Sequence, residues 1–160
     1  MRMLAAVCVL CLLTASPLAE ACGTRLPEIQ QRIDAEELAK LKTLTIEAAA
    51  EADLVIVGTV TSLVRPVLGG TQPGTVTLAV SETLKGTHAP TRTLPWQEAT
   101  TLSCVESNSF RNVGFRDGGH FIVYVREGRV MRSKAADALG ESSLLKPSQE
   151  RALVLSQAGE

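Results

Sequence analysis

The stretch Asp53-Leu-Val-Ile-Val-Gly-Thr-Val-Thr-Ser-Leu-Val64 is β-branched and almost free of charge. Such a run favours an extended chain over a helix, because branched side chains pack on a pleated surface and lose rotamer freedom in a helix. It predicts a long strand, and Gly58 inside it predicts a bend or bulge. Four more strand-like runs follow, each bounded by turn residues. They are Thr75–Leu84, Thr91–Trp96, His120–Arg126 and Arg129–Ser133. Lys85-Gly86 ends the second, Gly118-Gly119 opens the fourth, and Glu127-Gly128 makes a tight turn before the fifth. Pro66 and Gly69 to Gly74 form the first loop, and the irregular residues 97–117 form the longest.

Alternation assigns faces. Val76, Leu78 and Val80 share one side, with Thr75, Thr77 and Ala79 on the other. In the fourth run Phe121, Val123 and Val125 oppose His120, Ile122 and Tyr124. Phe121 belongs in the core and Tyr124 at its edge. Helical spacing of Ile29, Ile33, Leu38, Leu41, Leu44 and Ala48 predicts helix over 27–52, with Pro27 suited to a first turn. Start signals at Asp34 and Thr45 predict two shorter helices there. The tail from Lys146 predicts a short helix capped by Ser148, with Ala152, Leu153 and Leu155 inward. The sum is a mainly β domain: a small five-stranded Greek-key barrel of the OB type with flanking helices.

Residues 1–21 carry a different message. Arg2, the apolar stretch Leu4–Leu13 and the small-x-small ending Ala19-Glu20-Ala21 predict a secretory signal peptide. Residues 22–160 are then a single domain with its core over about 52–133. Cleavage after Ala21 makes Cys22 the first mature residue; cleavage after Ala19 leaves two residues before it. A cysteine at this place is also a lipidation site in bacterial lipoproteins, although Glu20 interrupts the usual small-residue box. Cys8 and Cys11 leave with the signal, so the mature chain keeps Cys22 and Cys104. An exported pair is read as one disulfide, the alternative being two free thiols. Closing so long a loop stabilises by roughly 4 kcal/mol in the chain-entropy model. The compartment is the periplasm or the medium.

Lys and Arg number 16 against 17 Asp and Glu, a net charge of −1. With no basic excess to neutralise phosphates, nucleic-acid binding is not expected. Arg111, Arg116, Arg126, Arg129 and Arg132 read as a solvated rim that faces acidic residues. Outside the N-terminus no apolar run reaches the length of a spanning helix. His88 and His120 have no metal-site spacing, and no nucleophile elbow, zincin motif or phosphate loop is present. No catalytic residue, cofactor or metal is predicted, and the chain is not read as an enzyme.

Several pieces occur in a familiar order: Ala52-Asp53-Leu-Val-Ile-Val-Gly-Thr-Val, Thr75-Val-Thr-Leu-Ala-Val, Leu84-Lys85-Gly86, Cys104, and Gly118-Gly-His-Phe-Ile-Val-Tyr124. Together with Cys22 they resemble the N-terminal domain of tissue inhibitors of metalloproteinases and its bacterial netrin-like relatives. The resemblance covers roughly 52–133 plus Cys22. It implies a disulfide between Cys22 and Cys104 and a protein partner, a zinc metalloprotease. In that family the first cysteine's amino group and carbonyl chelate the protease's catalytic zinc, at the position such metals leave open. Cys22, Gly23 and Thr24 would be the protease-contacting edge. The chain departs from the family in having Cys22-Gly23-Thr24 where Cys-x-Cys is common. It also has Met131-Arg-Ser133 where the second disulfide's partner would lie. Gly23 has no side chain for a specificity pocket. The other readings of Cys22 are the anchor of an envelope scaffold or lipoprotein.

Overall fold

A computed structural model describes residues 26–67, 72–98 and 109–158. The element order is α1 (Pro27–Glu51), β1 (Leu54–Val64), β2 (Gly74–Lys85), β3 (Thr91–Trp96), β4 (His120–Arg126), β5 (Arg129–Ala135), α2 (Ala138–Glu141) and α3 (Pro147–Ala158). All five predicted strands form within two residues of their expected bounds.

The strands make one sheet in the order β3-β2-β1-β4-β5. Every hydrogen-bonded neighbour is antiparallel. β1 to β3 follow one another as a meander, and β4 returns to lie beside β1, which is a Greek key. The alternating directions leave the two edge strands, β3 and β5, parallel to each other. In a flat sheet they would stand about 19 Å apart, four spacings of ~4.8 Å. Instead their Cα atoms approach within 8 Å, so the sheet curls back on itself. No ladder joins β3 to β5 among the described residues, and the sheet is open at that seam.

The curl has a visible cause in β1. Its register against β2 slips at Val55/Ile56, Val57/Gly58 and Val60/Ser62. Each such irregularity adds local twist. Gly58 permits a close approach of β2, because a Cβ there would lie 2.7 Å from the carbonyl oxygen of Ala79.

Curling gives the sheet two buried faces, and β1, β2 and β4 feed both. Inside the curl, Ile56, Val76, Leu78, Trp96, Phe121 and Val123 form the principal cluster. On the outer face, Val55, Val57, Leu84, Ile122 and Tyr124 pack against Leu41, Ala48, Leu145 and Val154 of the helical layer. A strand buried on both sides must read as continuous Leu-Val-Ile-Val, which is why β1 does.

Residues 27–51 form one helix, not the two shorter ones expected. No Gly or Pro interrupts the segment after Pro27, and Ala, Glu, Leu and Lys dominate it. Asp34 does not cap; its Oδ1 accepts from Gln30 Nε2 one turn earlier at 2.6 Å. Thr45 lies buried in the helix interior. Ile29 remains exposed, so only the C-terminal half of α1 meets the sheet.

The C-terminal helix forms as expected, but with a different cap and phase. Pro147 is its first residue, and Lys146 receives the return bond, its N–H donating to Gln149 Oε1 at 3.1 Å. The inward face is Glu150, Val154 and partly Leu153, whereas Ala152 and Leu155 are exposed.

Candidate functional site

Cys22, Gly23, Thr24 and Cys104 lie outside the described residues, as do residues 1–21, where a signal peptide is expected. The described elements that flank them in sequence are the start of α1, the end of β3 at Trp96, and the return of the chain from Ser109 to β4.

Two motif pieces and the β4–β5 turn meet at one joint. Lys85, at the end of β2, points its ammonium at the C-terminus of α1. Nζ donates to the carbonyl oxygens of Ala49 at 2.7 Å and Ala50 at 3.2 Å. Those carbonyls have no partner inside the helix, and they carry the negative end of its dipole. Asp53, just after the helix, accepts from the N–H of Glu127 at 2.6 Å and so fixes the β4–β5 turn. That turn has positive φ at both Glu127 and Gly128, the form that matches the twist of a hairpin. Gly86 sits at φ +88°, where a Cβ would lie 2.7 Å from the Asp53 carbonyl oxygen. Ala52-Asp53, Lys85-Gly86 and Glu127-Gly128 therefore tie helix, strand and hairpin together.

The mouth of the curl is filled by the return segment. Phe115 stacks edge-on against Trp96, centroids 5.3 Å apart, and against Phe121 at 5.1 Å. The Trp96 indole N–H donates to the Val64 carbonyl at 3.2 Å. The same segment lies along the free edge of β5, where the N–H of Ser133 donates to Asn112 O at 3.3 Å. Ser133 Oγ also bridges the N–H and C=O of Gly114.

Beneath that edge lies a buried charge pair that the sequence did not flag. Arg132 was expected in the solvated rim and Tyr124 at the core's edge; both are buried. A slip in the β4–β5 register between Tyr124 and Val125 places Arg132 on the helical side. Its guanidinium bonds both oxygens of Glu150 on α3, Nη1 to Oε1 and Nη2 to Oε2, and its Nε donates to Phe110 O at 2.8 Å. The Tyr124 hydroxyl donates to Glu150 Oε1 at 2.8 Å. The guanidinium lies between two rings, 4.0 Å from the Phe110 centroid and 4.9 Å from that of Tyr124. Burial pushes the Tyr124 phenol well above the usual tyrosine range. The Glu150 carboxylate adds to this and Arg132 opposes it. With both carboxylate oxygens engaged, the cluster is built to hold α3 on the sheet. The signals were an Arg in an alternating strand and a Glu on the apolar face of a short helix.

Of the four other rim arginines, three approach acidic groups, and Arg129 has no acidic partner among the described residues. Arg116 pairs with Asp137, Arg126 with Glu51 and Glu127, and Arg111 lies 3.9 Å from Glu51. At the β3/β5 seam a cleft of about 230 Å³ opens between Trp96 and Gln97 on one side and Arg129 to Met131 on the other. A second cavity of about 190 Å³ borders Arg132 and Glu150.

His88 and His120 stand apart, their Nδ1 atoms bonded to Thr83 Oγ1 at 3.0 Å and Thr59 Oγ1 at 3.1 Å. Among the described residues no three His, Cys, Asp or Glu side chains converge on a metal-sized site. No helix among them is long and apolar enough to cross a membrane. Neither a scan against protein-family models nor a search of the curated proteins finds a match to this chain.

Proposed function

We propose that residues 22–160 are an exported, netrin-like module of the OB type that binds a protein partner, and that the partner is a zinc metalloprotease. The supporting observation is the strand order β3-β2-β1-β4-β5 with parallel, adjoining edge strands. It is the order in which a five-stranded Greek-key barrel closes. The Asp53, Lys85 and Gly86 joint gives the resembling motif pieces a shared physical purpose.

On this reading Cys22 is the mature N-terminus, bonded to Cys104 in the loop after β3. Its amine and carbonyl form a compact bidentate ligand for the open position of the protease's zinc. The disulfide holds that ligand on the barrel, so little freedom is lost on binding. Gly23 and Thr24 extend the edge along the protease. The module acts by occupying another protein's catalytic metal and carries no catalytic residue of its own.

The test is an inhibition assay against a panel of His-Glu-x-x-His metalloproteases. A sensitive protease should be inhibited by the native chain and released when one residue is added before Cys22. Inhibition that survives the added residue removes chelation. A diacylated Cys22 replaces the inhibitor with a membrane-anchored scaffold.

A further inference from the structure

We propose that the cleft at the β3/β5 seam is a second, separate recognition site, which takes an extended peptide segment with an acidic residue next to an apolar one. The inference rests on the reading of the domain as a protein-binding module, but not on Cys22.

Its floor is apolar: Trp96, Val113 and Val130 are buried there, and Met131 is half-buried. Its rim is cationic. Arg111 and Arg129 are both exposed, and Arg129 makes no ion pair among the described residues. Arg111 has only the 3.9 Å approach to Glu51, beyond hydrogen-bond reach. Arg116 is held in a close pair with Asp137, and Arg126 has two carboxylates near it, Glu51 at 3.7 Å and Glu127 at 3.8 Å. The cleft thus offers positive charge beside a greasy floor, in a protein whose net charge is −1.

The volume of about 230 Å³ suits one or two side chains and falls below the usual range of a cofactor site. The Trp96 ring is buried and turned edge-on to Phe115, so it presents no open face on which a base or sugar could stack. That favours a peptide over a nucleic acid. Among the described residues no ladder joins the edge strands here, and the return segment bonds β5 at Ser133, beyond Arg129 to Met131, so an extended segment is the shape that fits along that stretch.

The experiment is a peptide array. Aspartate is placed beside each apolar residue type, and each peptide has a matched control with lysine in place of aspartate. The exported full-length protein should prefer aspartate members by about tenfold, the value of one charge-assisted contact. Arg129→Glu should invert that preference toward lysine members, and Arg111→Glu should weaken it. Both residues are exposed, and unchanged Trp96 fluorescence reports an intact fold. An equal response to both peptide sets, or a preference that survives Arg129→Glu, overturns the site. Competition by oligothymidylate at equal strength would assign the rim to anions in general and overturn the peptide reading. The protease assay reads the Cys22 edge and the array reads the cleft, so either proposal fails without the other.

Discussion

Arg132 on β5 and Glu150 on α3 form a two-pronged ion pair in which Glu150 is fully buried and Arg132 nearly so. The pair joins the last strand to the last helix, and Tyr124 of β4 completes it. Isolated charges are expensive to bury, and this arrangement offsets the cost by bonding both carboxylate oxygens and by stacking the guanidinium between two rings. Such a cluster adds specificity of docking: α3 fits only where Glu150 meets Arg132.

Breaking the pair one side at a time should cost far more than replacing it whole. Glu150→Leu leaves a buried guanidinium and should lower unfolding free energy by about 3–5 kcal/mol. Arg132→Met should do the same by stranding the carboxylate. The triple change Arg132→Met, Glu150→Leu and Tyr124→Phe removes both charges and the hydroxyl together, leaves only the Phe110 carbonyl without its donor, and should cost less than either single change. Urea unfolding of the variants measures this. Equal, additive losses would contradict a buried pair.

Tyr124 is the chain's sole tyrosine, so its ionisation has a signal of its own. The folded state holds the phenol neutral by burial and by the neighbouring carboxylate. Its folded pKa is therefore raised, and the folded chain keeps this proton where the unfolded chain would lose it. The stability it contributes is whole below the ordinary value of 10.0 and falls as pH rises above it, by about 1.4 kcal/mol per pH unit. Tyrosinate absorbance should appear together with alkaline unfolding. Ionisation near pH 10 in a still-folded chain would contradict the burial.

The joint of Lys85, Asp53 and Gly86 makes a prediction about the resembling motif itself. Lys85→Met keeps the stem and removes two bonds to the end of α1, and should cost about 1–2 kcal/mol. Gly86→Ala meets both a left-handed backbone and the Asp53 carbonyl, and should cost more than about 1 kcal/mol. Asp53→Asn, which keeps an acceptor for the Glu127 N–H, should be the mildest of the three. Thermal unfolding ranks them, and a tolerated Gly86→Ala would show the joint to be slack.

The strands were legible because β1 and β4 are buried on both faces, the others bury alternate residues over part of their length, and their turns are marked. The Leu-Val-Ile-Val run, Gly86 and Glu127-Gly128 mark strand and turn through local chemistry alone. The single long α1 was hidden by Asp34 and Thr45, whose capping preference yields to a helix-forming stretch with no breaker. Arg132 and Glu150 were illegible for another reason. Each is an ordinary surface residue when taken singly, and only the β4–β5 register slip brings them together. The seam cleft is likewise a product of curl, formed by strands that are not neighbours in the sheet. The residues that carry the proposed inhibitory edge, Cys22 and Cys104, come from the sequence alone.

The most direct test of the exported, disulfide-held module is the intact mass of the exported protein with and without reductant, together with its N-terminal peptide. The account predicts a chain that starts at an unmodified Cys22 amine and gains two hydrogens on reduction, with Cys22 and Cys104 in one linked peptide. A chain that starts at Glu20, carries acyl groups on Cys22, or shows no mass change on reduction would contradict it.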